Sequence, residues 1–224
     1  FQLCAMTKYK YIILAFLGVW VLGMAIVYPM LKRQQRLQVF QPSDVNPNLV
    51  DTDMRGKQKA HRIADFKLVD QMGDTVTNHN FNDHTYVADS FFTTCPSICP
   101  KMTANMADLA DGYSNENDIM FLSHSVTPEK DSVAVLAAYG KEHGADPKRW
   151  KLVTGDKKHI YELARRSYFA VTTEGDGGEN DFIHTENFIL VDKERRIRGF
   201  YDGTSRDDME RLKQDIEVLR YEYE

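Results

Sequence analysis

Two cysteines, Cys95 and Cys99, are the residues of this chain whose type and spacing most directly suggest chemistry. Thiols four residues apart on a helical turn share one face, so both sulfurs can reach one metal ion or each other. The flanking sequence predicts a strand over residues 86–92 and a helix over residues 101–111, with Pro100 suited to the first helical turn. Unpaired backbone N–H groups and the helix dipole at such a junction favour thiolate over thiol. The sequence therefore predicts a reactive pair.

The composition of the chain excludes some classes of protein. The chain has 224 residues, three cysteines and a formal net charge of −5. Five of the 28 basic residues and none of the 33 acidic ones fall within residues 1–43, so the remainder carries a net charge of −10. An acidic domain is a poor candidate for binding nucleic acid, which depends on basic contacts to phosphate. Three cysteines also exclude a disulfide-rich scaffold.

An uncharged run of 21 residues, Tyr11 to Leu31, precedes the acidic part. As a helix it would span about 31 Å, close to the hydrocarbon thickness of a bilayer, and we expect an uncleaved anchor rather than a signal peptide. Basic flanks slightly favour a cytoplasmic location for the acidic part. However, long segments cross largely regardless of charge, and a functional disulfide needs an oxidising compartment. We therefore expect the domain on the periplasmic or an equivalent side, and leave Phe1 and Met6 open as the first residue.

The pattern of the chain predicts three parts: an anchor with basic flanks (residues 1–40), a polar linker (41–60) and a domain (61–224). In the domain, strands alternate with helices before a hairpin and a terminal helix, which predicts an α/β fold with a central mixed sheet flanked by helices. Asp131 is a candidate cap for one helix and Ser205 for the last. The spacing of Met102 and Met106 is typical of core residues.

Histidines are the natural third partner for two thiols, and the chain has seven. His184 follows a glycine-rich loop and immediately precedes a predicted strand, where a loop can present its side chain to the edge of a sheet. His124 ends another predicted strand, and its proximity to the cysteines is left open by the sequence. A lone histidine is more often structural than a ligand, so the residues alone leave the third partner open.

The segment from about His61 to Leu219 resembles the SCO/SenC family of membrane-anchored copper proteins. Four stretches carry the resemblance: Phe92-Thr93-Thr94-Cys95-Pro96-Ser97-Ile98-Cys99-Pro100, Val126-Thr127-Pro128-Glu129-Lys130-Asp131-Ser132, Thr154-Gly155, and His184-Thr185 with Phe188-Ile189-Leu190-Val191-Asp192. The resemblance implies a thioredoxin-like fold and copper bound by Cys95, Cys99 and His184. It also implies a role in assembling the copper centre of cytochrome c oxidase, by delivering copper or by reducing cysteines. The implied partner is a copper-accepting oxidase subunit or another copper chaperone.

The donor set agrees with this expectation, because two thiolates and one imidazole suit Cu(I), whereas structural zinc normally takes four protein ligands. Use of Cu(II) as well stays open. Three positions depart from the family pattern: Ser97 and Ile183, where members often have Asp, and Thr127, which opens the motif that ends at Asp131. Each lies close to an expected ligand, so binding strength and choice of partner are the properties they affect.

The alternative hypothesis is an enzyme, either a thiol–disulfide oxidoreductase or a peroxiredoxin-like protein, that uses Cys95 and Cys99 as a redox pair. Dithiol exchange can proceed on the two cysteines alone, whereas copper binding of the expected kind requires His184. A redox or copper sensor is a third class that the sequence leaves open. A purely structural disulfide is disfavoured, because closing so small a loop removes little unfolded-state entropy.

Overall fold

The structure is a computed structural model that describes residues 2–33, 36–45, 61–171, 175, 177–178 and 181–223. The chain divides into two compact units, Phe1–Leu37 with Glu217–Glu224, and Gln38–Ile216. Residues 46–60 of the expected linker lie outside the described residues.

The first unit contains helix α1 (Gln2–Arg33). Thirteen large apolar side chains between Ile12 and Tyr28 are exposed. Among the residues that the structure describes, no helix is long and apolar enough to cross a membrane. The transmembrane helix expected over residues 11–31 is therefore not shown.

A seven-stranded sheet organises the second unit, in the order β2-β1-β5-β4-β3-β6-β7. The three central strands β3, β4 and β5 run parallel, and the outer strands pair antiparallel. The strands are β1 (Lys67–Asp70), β2 (Thr75–Thr77), β3 (Thr85–Phe91), β4 (Ile119–Ser125), β5 (Trp150–Thr154), β6 (Asn187–Val191) and β7 (Ile197–Asp202). The central strands β3 and β4 are buried at every position, as expected for parallel strands covered on both faces. The predicted α/β fold with a central mixed sheet is confirmed.

The remaining helices connect and cover these strands. They are α2 (Ile98–Gly112), α3 (Val133–Glu142), α4 (Lys157–Glu162), which continues as a π-helical turn (Leu163–Ser167), and α5 (Arg206–Glu222); a 3₁₀ turn spans Asn78–Phe81. Helix α2 follows β3 directly and buries Met102 and Met106 completely, so their predicted core role is confirmed. The connection from β3 through α2 to β4 fixes where the cysteine segment lies.

Of the two predicted helix caps, one is confirmed. The hydroxyl of Ser205 accepts a hydrogen bond from the backbone N–H of Asp208, and α5 begins at the next residue, as predicted. The predicted cap at Asp131 is wrong: α3 is capped by Ser132, whose hydroxyl accepts from the N–H of Val135. Asp131 is fully buried instead, because its carboxylate is engaged by donors from other segments. A side chain turned into the protein cannot also cap an exposed helix end.

Candidate functional site

The cysteine pair lies where β3 passes into α2. The backbone N–H of Cys95 donates to the carbonyl of Phe92 at 3.2 Å, which closes a turn between strand and helix. Cys95 therefore precedes the helix, and only Cys99 lies within its first turn, which corrects the expectation of two thiols on one helical face. Both cysteines are buried and free, at 7% and 3% exposure. The turn brings the two side chains together although one lies outside the helix.

Hydrogen bonds distinguish the two thiols. The backbone N–H of Cys99 points at Sγ of Cys95 at 3.5 Å, and the Ser97 hydroxyl lies 3.8 Å from the same sulfur. Burial raises the pKa of Cys95, but donors from Ser97 and Cys99 outweigh burial and bring this pKa below its ordinary value. This is the thiolate stabilisation expected at a helix start. Cys95 is therefore the more reactive thiol.

Cys99 has the opposite environment. Burial, together with the neighbouring Cys95 and the negative charge of Asp89, raises the pKa of Cys99 to about 12. Asp89 lies within β3, is itself buried, and its Oδ1 has no hydrogen-bond partner among the described residues. Burial raises the pKa of Asp89 to about 7, offset in part by a hydrogen bond with Ser123. Cys99 and Asp89, which interact with each other, therefore both have pKa values raised toward their protonated forms.

A second carboxylate supports the turn that carries Cys95. The Thr93 hydroxyl donates to Oδ1 of Asp131 at 2.5 Å, and the Thr93 N–H lies 3.3 Å from Oδ2. The hydroxyls of Ser125 and Thr127 donate to Oδ2 at 2.6 and 3.0 Å. Thr127 is one of the three residues noted above as departures from the family pattern, and its hydroxyl donates to Asp131. The buried carboxylate of Asp131 thus joins residues 92–95, which we call the cysteine turn, to the end of β4.

His184 lies in the segment before β6. Its side chain is exposed, while its neighbours Ile183 and Thr185 are buried at 1% and 7% exposure. Two residues earlier, the Phe182 ring packs edge-on against Phe92 with centroids 5.2 Å apart, so this segment contacts the cysteine turn. No three His, Cys, Asp or Glu side chains of the described residues are close enough together to hold a metal ion. The structure brings the two cysteines together but does not assemble them with His184.

The segment around His184 is anchored on both sides. Arg165 holds Asp181 through two hydrogen bonds of 2.6 Å, and the Tyr161 hydroxyl lies 3.3 Å from the Asp181 carbonyl. On the other side, Thr185 and Asn187 both donate from their side chains to the carbonyl of Ala170, at 2.9 and 2.8 Å. The exposed side chain of His184 therefore lies on a short segment that is held at both ends.

Within the described residues, His124 does not form a metal-binding group with the cysteines. It lies inside β4 at 3% exposure, with the rings of Phe66 and Tyr168 as neighbours and Nδ1 placed 3.2 Å from the carbonyl of Asp89. The strand continues one residue beyond His124, and its side chain is buried among the rings of the core, so the structure gives it no role as a ligand in the described residues. Sequence reasoning also missed Asp89. The available signal was a single acidic residue inside an otherwise apolar run.

A buried dithiol at the amino end of a helix, directly after a central strand of a mixed sheet, defines the second unit as a thioredoxin-like domain. The family model described as SCO1/SenC matches residues 54–219, well over half of the chain. The chain belongs to the SCO1/SenC family.

Individual relatives agree with this assignment. The chain is 31% identical over 145 residues to the SCO1 protein homolog of Bacillus subtilis (strain 168), covering 64% of this chain and 75% of that protein. Among solved structures, it resembles BsSco, described as a member of the Sco family of cytochrome c oxidase assembly proteins with a disulfide switch (28% identity, TM-score 0.61, 71% and 94% of the two chains). It also resembles Arabidopsis thaliana ScoI with copper bound (25% identity, TM-score 0.54, 70% and 96%).

Proposed function

We propose that this protein binds copper through Cys95, Cys99 and His184, and that it delivers copper to, or reduces cysteines of, the copper centre of cytochrome c oxidase during assembly. The observation that carries the proposal is the buried pair of free cysteines at the start of α2, with a backbone N–H directed at Cys95 Sγ. Support for the metal comes from the copper-bound Arabidopsis relative, and support for the process comes from BsSco.

The residues present fit copper chemically. Two adjacent sulfurs, one of them with a lowered pKa, are soft ligands that select Cu(I), and an imidazole completes a three-ligand set. The side chain of His184 is exposed, and its segment is in contact with the cysteine turn through Phe92 and Phe182. Binding would thus require a local adjustment near a segment that already touches the turn. The low number of protein ligands leaves the ion open to ligand exchange with a partner.

Thiol–disulfide exchange is the second candidate function, and the difference in pKa between the two thiols favours it. Cys95 has a lowered pKa and Cys99 a pKa raised to about 12, as suits an attacking thiolate and a second thiol that resolves the mixed disulfide. The disulfide switch described for BsSco gives this candidate further support. Both functions use the reduced pair, so one protein can perform either step during assembly.

Copper uptake by the intact protein tests the proposal. After reduction we expect one copper per chain, because metal and disulfide compete for the same sulfurs; after oxidation of the pair we expect little uptake. Cys95→Ala and Cys99→Ala should each abolish tight binding. Metal analysis after dialysis gives the stoichiometry, and mass spectrometry verifies the disulfide. Equal uptake by the oxidised and reduced forms would contradict the site.

Attachment to a membrane is the further part of the proposal. The exposed apolar side chains between Ile12 and Tyr28 support an anchor over residues 1–40, preceding a linker over 41–60 and the copper-binding domain over 61–224. We place the domain on the periplasmic or an equivalent side, where a disulfide can form. A C-terminal reporter that is active only in the cytoplasm should therefore be silent in cells. A strong signal from that reporter would contradict both the topology and the oxidase partner.

A further inference from the structure

The fully buried carboxylate of Asp131 lies between β4 and α3 and has no part in the copper ligand set. A buried carboxylate is costly unless its oxygens are satisfied, and hydrogen bonds to an ionised group are stronger than neutral ones. Four donors meet this carboxylate, and two of them come from a single residue, Thr93. The other two come from Ser125 and Thr127, which lie beside Asp131 in the chain. Of the four hydrogen bonds to Asp131, the two that join segments distant in the chain therefore both come from the cysteine turn.

Thr93 lies in the part of the cysteine turn that sets the position of the Cys95 thiol. It lies two residues before Cys95, inside the turn closed by the bond from the Cys95 N–H to the Phe92 carbonyl. The hydroxyl and N–H of Thr93 fix the turn from its other side, and so determine where Sγ of Cys95 lies relative to the N–H of Cys99, now 3.5 Å away.

We propose that Asp131 is a positioning residue for Cys95, acting through Thr93 to hold the sulfur where the first N–H groups of α2 stabilise the reduced pair. The inference rests on the proposed function in one respect: it takes the reduced pair as the working form. Once the turn is released, the reduced pair loses this stabilisation, whereas a disulfide imposes its own geometry covalently. Loss of the Thr93–Asp131 contact should therefore favour the disulfide.

Equilibration of the metal-free protein with glutathione tests the proposal. In this exchange the protein dithiol gives two electrons and two protons to glutathione disulfide, so that one S–S bond forms in the protein and two glutathione thiols are released. Thr93→Val removes the hydroxyl and nearly preserves shape. We expect it to shift the equilibrium toward the protein disulfide by about threefold to tenfold, as for the loss of one hydrogen bond. Asp131→Ala should shift it at least as far.

Two further variants separate positioning from general destabilisation. Ser125→Ala removes a hydroxyl donor from the same carboxylate, but it does not touch the turn, so the thermal midpoint should fall while the glutathione equilibrium stays at the wild-type value. The amide of Asp131→Asn keeps one oxygen that accepts from two of the donors, and its NH₂ can donate to the Thr93 hydroxyl, so this variant should keep the equilibrium within about threefold of wild type.

Equal shifts in Thr93→Val and Ser125→Ala, or no shift in Thr93→Val, would overturn the proposal. If Asp131→Ala does not fold, Thr93→Val still decides the question, because it retains the carboxylate. Copper uptake by the wild-type protein is measured separately. A wild-type protein that binds no copper would refute the proposed function, whereas the glutathione result would still test Asp131.

Discussion

Alkylation of the reduced, metal-free protein should modify Cys95 about a hundredfold faster than Cys99 near neutral pH. The thiolate is the reacting species, and donors from α2 lower the pKa of Cys95 while burial and nearby negative charge raise that of Cys99 to about 12. The ratio of thiolate fractions is larger than the expected ratio of rates, because a more basic thiolate is intrinsically the better nucleophile. Quenched labelling with iodoacetamide, followed by peptide mass spectrometry, gives both rates.

The unfolded chain provides the control for this measurement. In denaturant the local environments disappear, and Cys95 and Cys99 should react at similar rates. Comparable rates in the folded protein would mean that the turn does not distinguish the thiols. That result would remove the physical basis for assigning Cys95 as the attacking thiol.

Asp89→Asn should stabilise the protein by about 3 kcal/mol near pH 7, and this gain should disappear near pH 4. Burial raises the pKa of Asp89 from 3.8 to about 7, so between these values the folded state retains a proton that the unfolded chain releases. The stability contributed by Asp89 is therefore complete below about pH 4 and is lost as the pH rises to about 7. Asparagine resembles the protonated acid and does not titrate.

Urea unfolding of wild type and variant over pH 4–8 measures this effect. Asp108→Asn is the matched control, since it makes the same chemical change at an exposed position of α2, and the variant should unfold at nearly the same urea concentration as wild type. A pH-independent difference between Asp89→Asn and wild type would show that Asp89 ionises as freely in the folded state as in the unfolded chain.

The local parts of the site were predictable from sequence. A strand, a turn and a helix start are encoded by neighbouring residues, so the junction around Cys95 and Cys99 could be placed correctly. The position of Asp131 could not, because its partner Thr93 lies 38 residues away and a capping signal beside α3 competed with this contact. The burial of Asp89 depends likewise on helices that pack over β3 from elsewhere in the chain.

The proposal of His184 as the third copper ligand comes only from the family resemblance. The hydrophobic pattern of the chain predicts where a strand begins. It does not predict whether the exposed residue before that strand approaches a turn that ends 89 residues earlier, at Cys95. The contact between Phe92 and Phe182 supplies that information, because it joins the two segments directly. Tertiary packing determines which loops lie close together. The hydrophobic pattern of a single helix or strand does not contain this information.

The central claim is the ligand set Cys95, Cys99 and His184, and X-ray absorption spectroscopy of the Cu(I)-loaded protein tests it most directly. The wild-type spectrum should fit two sulfur ligands and one imidazole nitrogen. His184→Ala should lose the imidazole signal and bind copper much more weakly, while His79→Ala, at another exposed histidine, should match wild type. A His184→Ala protein that retains both the imidazole signal and full copper content would contradict the assignment.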